Sequence, residues 1–162
     1  IVPGSDALAL MAAAVAGGTF TFLRWNWSPA KIFLGDVGSV PLGFLLGWLL
    51  LRLAAEGQWA PAVILPSYYL ADATVTLLRR ARRREKIWQA HRQHFYQHAV
   101  QNGLSHAEAS KWVAYANVGL IACAGLAAAG WPIAGIGIAV VVVTTLLIFF
   151  GRQTTGKMAI SP

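Results

Sequence analysis

The 162-residue chain is 57% hydrophobic and only 12% charged, with mean hydropathy +0.56 and net charge +7. A soluble domain carries roughly 25% charged residues, so a water-soluble globular fold is excluded and an integral membrane protein is expected. The positive charge is a topology signal and does not point to nucleic acid, because the basic residues gather in the connections between apolar runs.

In chain order, five segments are apolar enough to span: 6–23, 39–55, 60–78, 112–129 and 131–150. A bilayer core needs about 17–25 residues per helix, so the expected fold is all-α, a polytopic membrane protein of about five transmembrane helices. Twelve of the 13 basic residues, all but Arg52, fall on one side of this serpentine. The positive-inside rule assigns that side, with the 24–38 and 79–111 connections, to the cytoplasm. Arg52 can snorkel to the interface. The tryptophans fall mostly near helix ends, where indoles anchor. A single cysteine, Cys123, allows no disulfide within the chain. The opening "IVPGSDALAL" lacks a basic n-region and a starting methionine, as if cut from something longer.

The polar features are few. In "KIFLGDVGSVPLGFLLGWLLL", residues 31–51, Asp36 stands between glycines at the edge of an apolar run. Asp36 and Ser39 suit a helix cap. A hard carboxylate beside a helix start also suits magnesium-assisted phosphoryl chemistry. Asp72 lies seven residues before Arg79 inside an apolar segment, either lining a cavity or paired with an arginine or hydroxyl. "RRARRR", 79–84, reads as a stop signal and headgroup contact. His91, His94 and His98 share a face if their stretch is helical. They could hold zinc, meet phosphate together with Arg92, or lie on headgroups. "SHAEAS", 105–110, has capping-box spacing between Ser105 and Glu108. Gly43 and Gly47 in "GFLLG" suit close helix packing.

Together these words resemble one family. "NWSPAKIFLGDVGSVPLG" is similar to the signature of bacterial polyprenyl-phosphate N-acetylhexosamine-1-phosphate transferases, of glycosyltransferase family 4 type, which include the lipid I translocase and the enzymes initiating O-antigen and common antigen. Asn26, Pro29, Ala30, Phe33, Gly35, Asp36, Gly38 and Ser39 match its fixed positions. "WQAHRQHFYQ" resembles the family's cytoplasmic histidine motif, with Arg92 and His94 on the matching positions and Tyr96 and Gln97 where some branches have further histidines. "LADATVTLLRR" resembles the aspartate-bearing helix between the two motifs.

The resemblance covers the chain, 1–162, as the C-terminal part of such a transferase. The D-D-x-x-D and N-x-x-N-x-x-D-G elements of the family are absent from it. It implies transfer of a sugar-1-phosphate from a UDP-N-acetylamino sugar to undecaprenyl phosphate or another polyprenyl phosphate, releasing UMP. Implied roles are Asp36 and His94 as catalytic residues, Asp36 also as the ligand of Mg2+ (or Mn2+), and Arg92, His91 and Asn26 as substrate-binding residues. Implied partners are the lipid bilayer, the missing N-terminal half of the same enzyme and a second copy in a homodimer. Implied localisation is the bacterial inner membrane, with the site loops in the cytoplasm. The competing readings are an ion-transport segment using Asp36 and Asp72, and a non-catalytic anchor with a basic lipid- or partner-binding loop.

Overall fold

The computed structural model describes residues 5–86 and 94–152. Among them every regular element is a helix: α1 (Ser5–Asn26), α2 (Gly35–Ala55), α3 (Trp59–Ile64), α4 (Ser67–Arg82), α5 (Phe95–Gln101), α6 (His106–Ala128) and α7 (Pro132–Arg152). The all-α membrane class expected from composition is the class observed. Among the described residues four helices are long and apolar enough to cross a bilayer: α1 from Asp6, α2, α6 and α7.

The expected 60–78 span differs. It is divided between α3 and α4 by a turn at 65–66. Pro66 has no N–H with which to bond the Ala62 carbonyl, and its ring obstructs a continuous helix. The Ser67 hydroxyl donates to the Ile64 carbonyl (2.6 Å) and restarts the chain.

The chain forms two compact units, residues 1–62 and 63–162. In the first, α1 and α2 are joined by residues 27–34. α2 buries no residue at all, and Phe44 and Leu51 are largely exposed. A helix so apolar with no buried face is one that hydrocarbon, rather than water, must cover.

In the second unit α7 is the central helix, touched by α4, α5 and α6. α6 and α7 form a hairpin turned at Ala129–Trp131, where the Trp131 N–H donates to the Leu126 carbonyl (3.2 Å). Their buried faces are mostly small: Ala109, Ala116, Cys123, Ala124 and Ala127 on α6, Gly135 and Ala139 on α7. In lipid no hydrophobic effect drives helices together, so close backbone approach supplies the attraction. Gly135 lies at a point of close approach. A Cβ there would stand 2.7 Å from the Cys123 carbonyl oxygen and 3.0 Å from the Ala127 Cβ.

Gly135→Ala therefore has to push the two helices apart, at a cost of about 1–3 kcal/mol. Its thermal midpoint in detergent should fall, whereas Gly119→Ala, whose new Cβ would sit 3.9 Å from Val142, should melt like the parent. Equal midpoints for all three proteins would remove Gly135 from the seam.

Candidate functional site

The chemistry-bearing residues lie in both units. In the first, the connection between α1 and α2 is closed by local hydrogen bonds. The Lys31 N–H donates to the Trp25 carbonyl (2.8 Å), and the Asn26 side-chain amide donates to the Ile32 carbonyl (2.9 Å). Lys31 lies over the Trp25 ring, 5.7 Å from its centroid. Asn26 is thus the clasp of this loop. Ser28–Pro29 is a cis peptide.

The loop delivers the chain into α2 through Gly35, whose φ of +60° is one that side-chain-bearing residues seldom adopt. Leu34 is the N-cap of α2, and no side chain donates or accepts there. Asp36 therefore does not cap the helix. It stands in the first turn, where a carboxylate is favoured by the helix dipole. It is exposed, and no hydrogen bond or ion pair engages it among the described residues. Phe33 and Val37 around it are 78% and 92% exposed, so this acid sits at the edge of an uncovered apolar surface. Gly38 is covered by the Leu34 side chain, which occupies the space a Cβ would need.

In the second unit the site is built on α4. Its buried residues are Tyr68, Asp72, Thr76 and Arg80, one every four positions and therefore one stripe. Over twelve residues it runs about 18 Å at 1.5 Å per residue. Asp72, 4% exposed, is the hub. Its Oδ1 accepts from the Phe95 N–H (3.0 Å) and the Thr76 hydroxyl (3.3 Å), and lies 3.4 Å from His94 Nδ1. A buried carboxylate is tolerable only with such partners. Of the two readings of Asp72, the paired one holds, with a hydroxyl, a backbone amide and an imidazole in place of an arginine.

His94 is the N-cap of α5, with extended backbone, and its N–H donates to Gln97 Oε1 (3.3 Å). Its ring is half-buried and stacks on Tyr96 at 6.0 Å. Because α5 starts at Phe95, His94 is extended and does not share a helical face with His98. This corrects the one-face reading of the histidines, which needed a continuous helix. His91 and Arg92 lie outside the described residues. Among the described residues no three His, Cys, Asp or Glu side chains cluster as a metal site. Arg80, 4% exposed, turns inward, its Nε 3.0 Å from Glu85 Oε2 and its Nη2 donating to the Lys86 carbonyl (2.8 Å). This arginine at least is a structural tie and not a headgroup contact. The four-residue spacing of polar residues in an apolar segment is the signal that could have revealed the stripe.

Residues 1–54 match the family model described as glycosyl transferase family 4. The chain is similar to phospho-N-acetylmuramoyl-pentapeptide-transferases of Mycobacterium ulcerans, Mycobacterium marinum and Mycobacterium tuberculosis. Each is 44% identical over 71 residues, which is 44% of this chain and 19% of the relative. The chain thus matches about a fifth of the length of these relatives. No solved structure matches it.

Asp72→Ala leaves the Phe95 N–H buried without its acceptor, a loss of about 1–3 kcal/mol. Amides of 95–101 should exchange hydrogen faster in this variant, and less so in Asp72→Asn, which keeps an acceptor oxygen. Parental protection of α5 in Asp72→Ala would refute the carboxylate's hold on that helix.

Proposed function

We propose, from the membership of residues 1–54 in glycosyl transferase family 4, that this chain is the C-terminal portion of a membrane phosphoglycosyltransferase. The reaction moves an N-acetylamino-sugar-1-phosphate from a UDP-sugar to polyprenyl phosphate, such as undecaprenyl phosphate, and initiates a lipid-linked envelope glycan. An oxygen of the lipid phosphate attacks the β-phosphorus of the nucleotide sugar. The bond from that phosphorus to the bridging oxygen breaks, and UMP leaves with the electron pair. The names of the relatives, which are transferases of a phospho-N-acetylmuramoyl group, support an N-acetylated sugar donor. The rest of the catalytic unit, on this reading, comes from the remainder of a longer polypeptide that includes this chain.

The observation that carries the reading is Asp36, an exposed carboxylate with no engaged partner among the described residues, set by Gly35 at the start of α2 within the matched segment. Its donor chemistry fits Mg2+, or Mn2+ in its place, which binds through one or two carboxylates and completes its shell with water and substrate phosphates. Such an ion, when bound, neutralises charge on the phosphoryl oxygens. Asp36 is the residue that would hold it. Asn26 keeps the loop closed so that Asp36 stays where the helix begins. His94, its Nδ1 turned to Asp72, is an oriented imidazole that can donate to a phosphate oxygen. Arg92 and His91 are proposed as phosphate-binding residues, a guanidinium and an imidazole being suited to phosphate oxygens.

The relevant loops are assigned to the cytoplasmic face of the bacterial inner membrane by the arginines that follow Asp72. Ala81→Cys, exposed at the end of α4 and placed in a Cys123→Ala background, should resist an impermeant thiol reagent until cells are permeabilised. Labelling of intact cells would reverse the orientation.

In the complete transferase, Asp36→Asn keeps the shape and removes the charge. Loss of one transition-state charge contact costs about 10²–10³ in turnover, so UMP release should fall by at least that order while the protein stays folded in detergent. Near-parental UMP release from this variant would end the catalytic assignment of Asp36.

A further inference from the structure

The buried stripe of α4 grips the chain on both sides of residues 87–93. On the first side the grip is Arg80. Its carbonyl accepts from the Glu85 N–H (3.0 Å), its Nε lies 3.0 Å from Glu85 Oε2, and its Nη2 donates to the Lys86 carbonyl (2.8 Å). One residue thus holds two consecutive residues with both its backbone and its side chain. The turn that brings them round runs through Arg84, whose φ of +56° is left-handed. The Arg84 N–H returns to the Ala81 carbonyl (3.0 Å), a closure that ends a helix at a defined angle and for which glycine is the usual residue.

On the second side the grip is Asp72, whose Oδ1 accepts from the Phe95 N–H (3.0 Å) and lies 3.4 Å from His94 Nδ1. Asp72 and Arg80 are both buried on α4, and eight residues separate them by about 12 Å at 1.5 Å per residue. One helix therefore fixes where the chain leaves for residues 87–93 and where it returns. In the chain His91 and Arg92 fall between the two grips, and His94 stands at the second.

Stability alone is a poor account of Arg80. Taking a guanidinium out of water costs free energy that a carboxylate partner does little more than offset, and a well-packed apolar side chain stabilises as well or better. Direction is what an apolar side chain cannot supply. The guanidinium donates along fixed lines to a carboxylate and to the carbonyl one residue on, and an ammonium does not reproduce that fork.

We propose that Arg80 is a positioning residue. Together with Asp72 it sets both ends of the connection between α4 and α5, and so places His94 and the basic residues of that connection on a phosphate-bearing substrate. The substrate in this statement rests on the transferase reading, whereas the two grips do not. Arg80 faces Glu85 and Lys86 and acts through the chain it holds.

The test compares Arg80→Lys, Asp72→Ala and their double variant in the complete transferase. Arg82→Lys, the same exchange at an exposed neighbour, is the control. Hydrogen exchange needs no substrate and decides the first grip. Amides of 84–86 should exchange about tenfold faster in Arg80→Lys, as loss of side-chain hydrogen bonds allows, and at the parental rate in Arg82→Lys. Parental exchange at 84–86 in Arg80→Lys would overturn the proposal.

UMP release decides the positioning. A displacement of about 1 Å at a reacting group costs about 10²-fold, so Arg80→Lys should lose about 10–100-fold in turnover and Arg82→Lys none. Sites about 12 Å apart add in stability, so the thermal-midpoint shifts of Arg80→Lys and Asp72→Ala should sum in the double variant. Their turnover losses should not multiply. A connection released at one end is already displaced, and the double variant should fall within about twofold of the slower single. Parental turnover in Arg80→Lys, or losses that multiply in the double variant, would reduce Arg80 to a tie within the fold and overturn the proposal. A parental protein that releases no UMP would sink the transferase reading and the substrate named with it, while the exchange result still decides the grip.

Discussion

The second unit depends on one buried oxygen. Asp72 Oδ1 receives the Phe95 amide, the Thr76 hydroxyl and the approach of His94. A seven-residue helix such as α5 has too few internal hydrogen bonds to persist alone. Its first free amide is therefore satisfied from a different helix, and the same carboxylate fixes where α5 begins and how the preceding imidazole is turned. Removing the acid from water costs free energy that only these partners offset. Placement of His94 is thus a by-product of satisfying Asp72. The Phe95 ring completes the anchorage by lying against Gly151 of α7, where a larger residue would meet it.

The first unit follows the opposite logic. Nothing on α2 is buried, and the acid at its start is positioned by local structure: a left-handed glycine, a loop clasped by the Asn26 side chain and the first turn of the helix. Buried polar groups organise one unit, whereas the carboxylate at the start of α2 in the other is exposed. Both arrangements suit a lipid-embedded protein, in which polar atoms are either satisfied internally or placed where the bilayer ends.

Much of this was legible in the sequence, and the limits have physical causes. The long apolar runs yield α1, α2, α6 and α7 because a span needs only length and apolarity. Ser105 and Glu108 form the expected capping box, with the Ser105 N–H donating to Glu108 Oε2 at 2.8 Å and the Glu108 N–H to Ser105 Oγ at 3.1 Å. That geometry is local, so spacing alone determines it. The break at Pro66 interrupts the apolar run 60–78, because a proline stops a helix without changing the apolarity that marks a span. The partners of Asp72 could not be read, because Phe95 lies 23 residues away and tertiary contacts of that range leave no local trace. Asp36 stands out in the sequence through its motif, while its failure to cap α2 depends on Leu34, an unexpected N-cap. Arg80 looked like its neighbours in "RRARRR", and only the helical phase of α4 separates it from them.

The small-residue seam between α6 and α7 also bears on the order of assembly. The two helices are joined by three residues, so their contacts are close in sequence and cost little loop-closure entropy. They can pair as soon as both are in the bilayer. α5 needs the completed end of α7 for its Phe95 ring and the carboxylate of α4 for its first amide. It is consequently the last element of this unit to find its place, and the imidazole of His94 is set only when the rest has already closed.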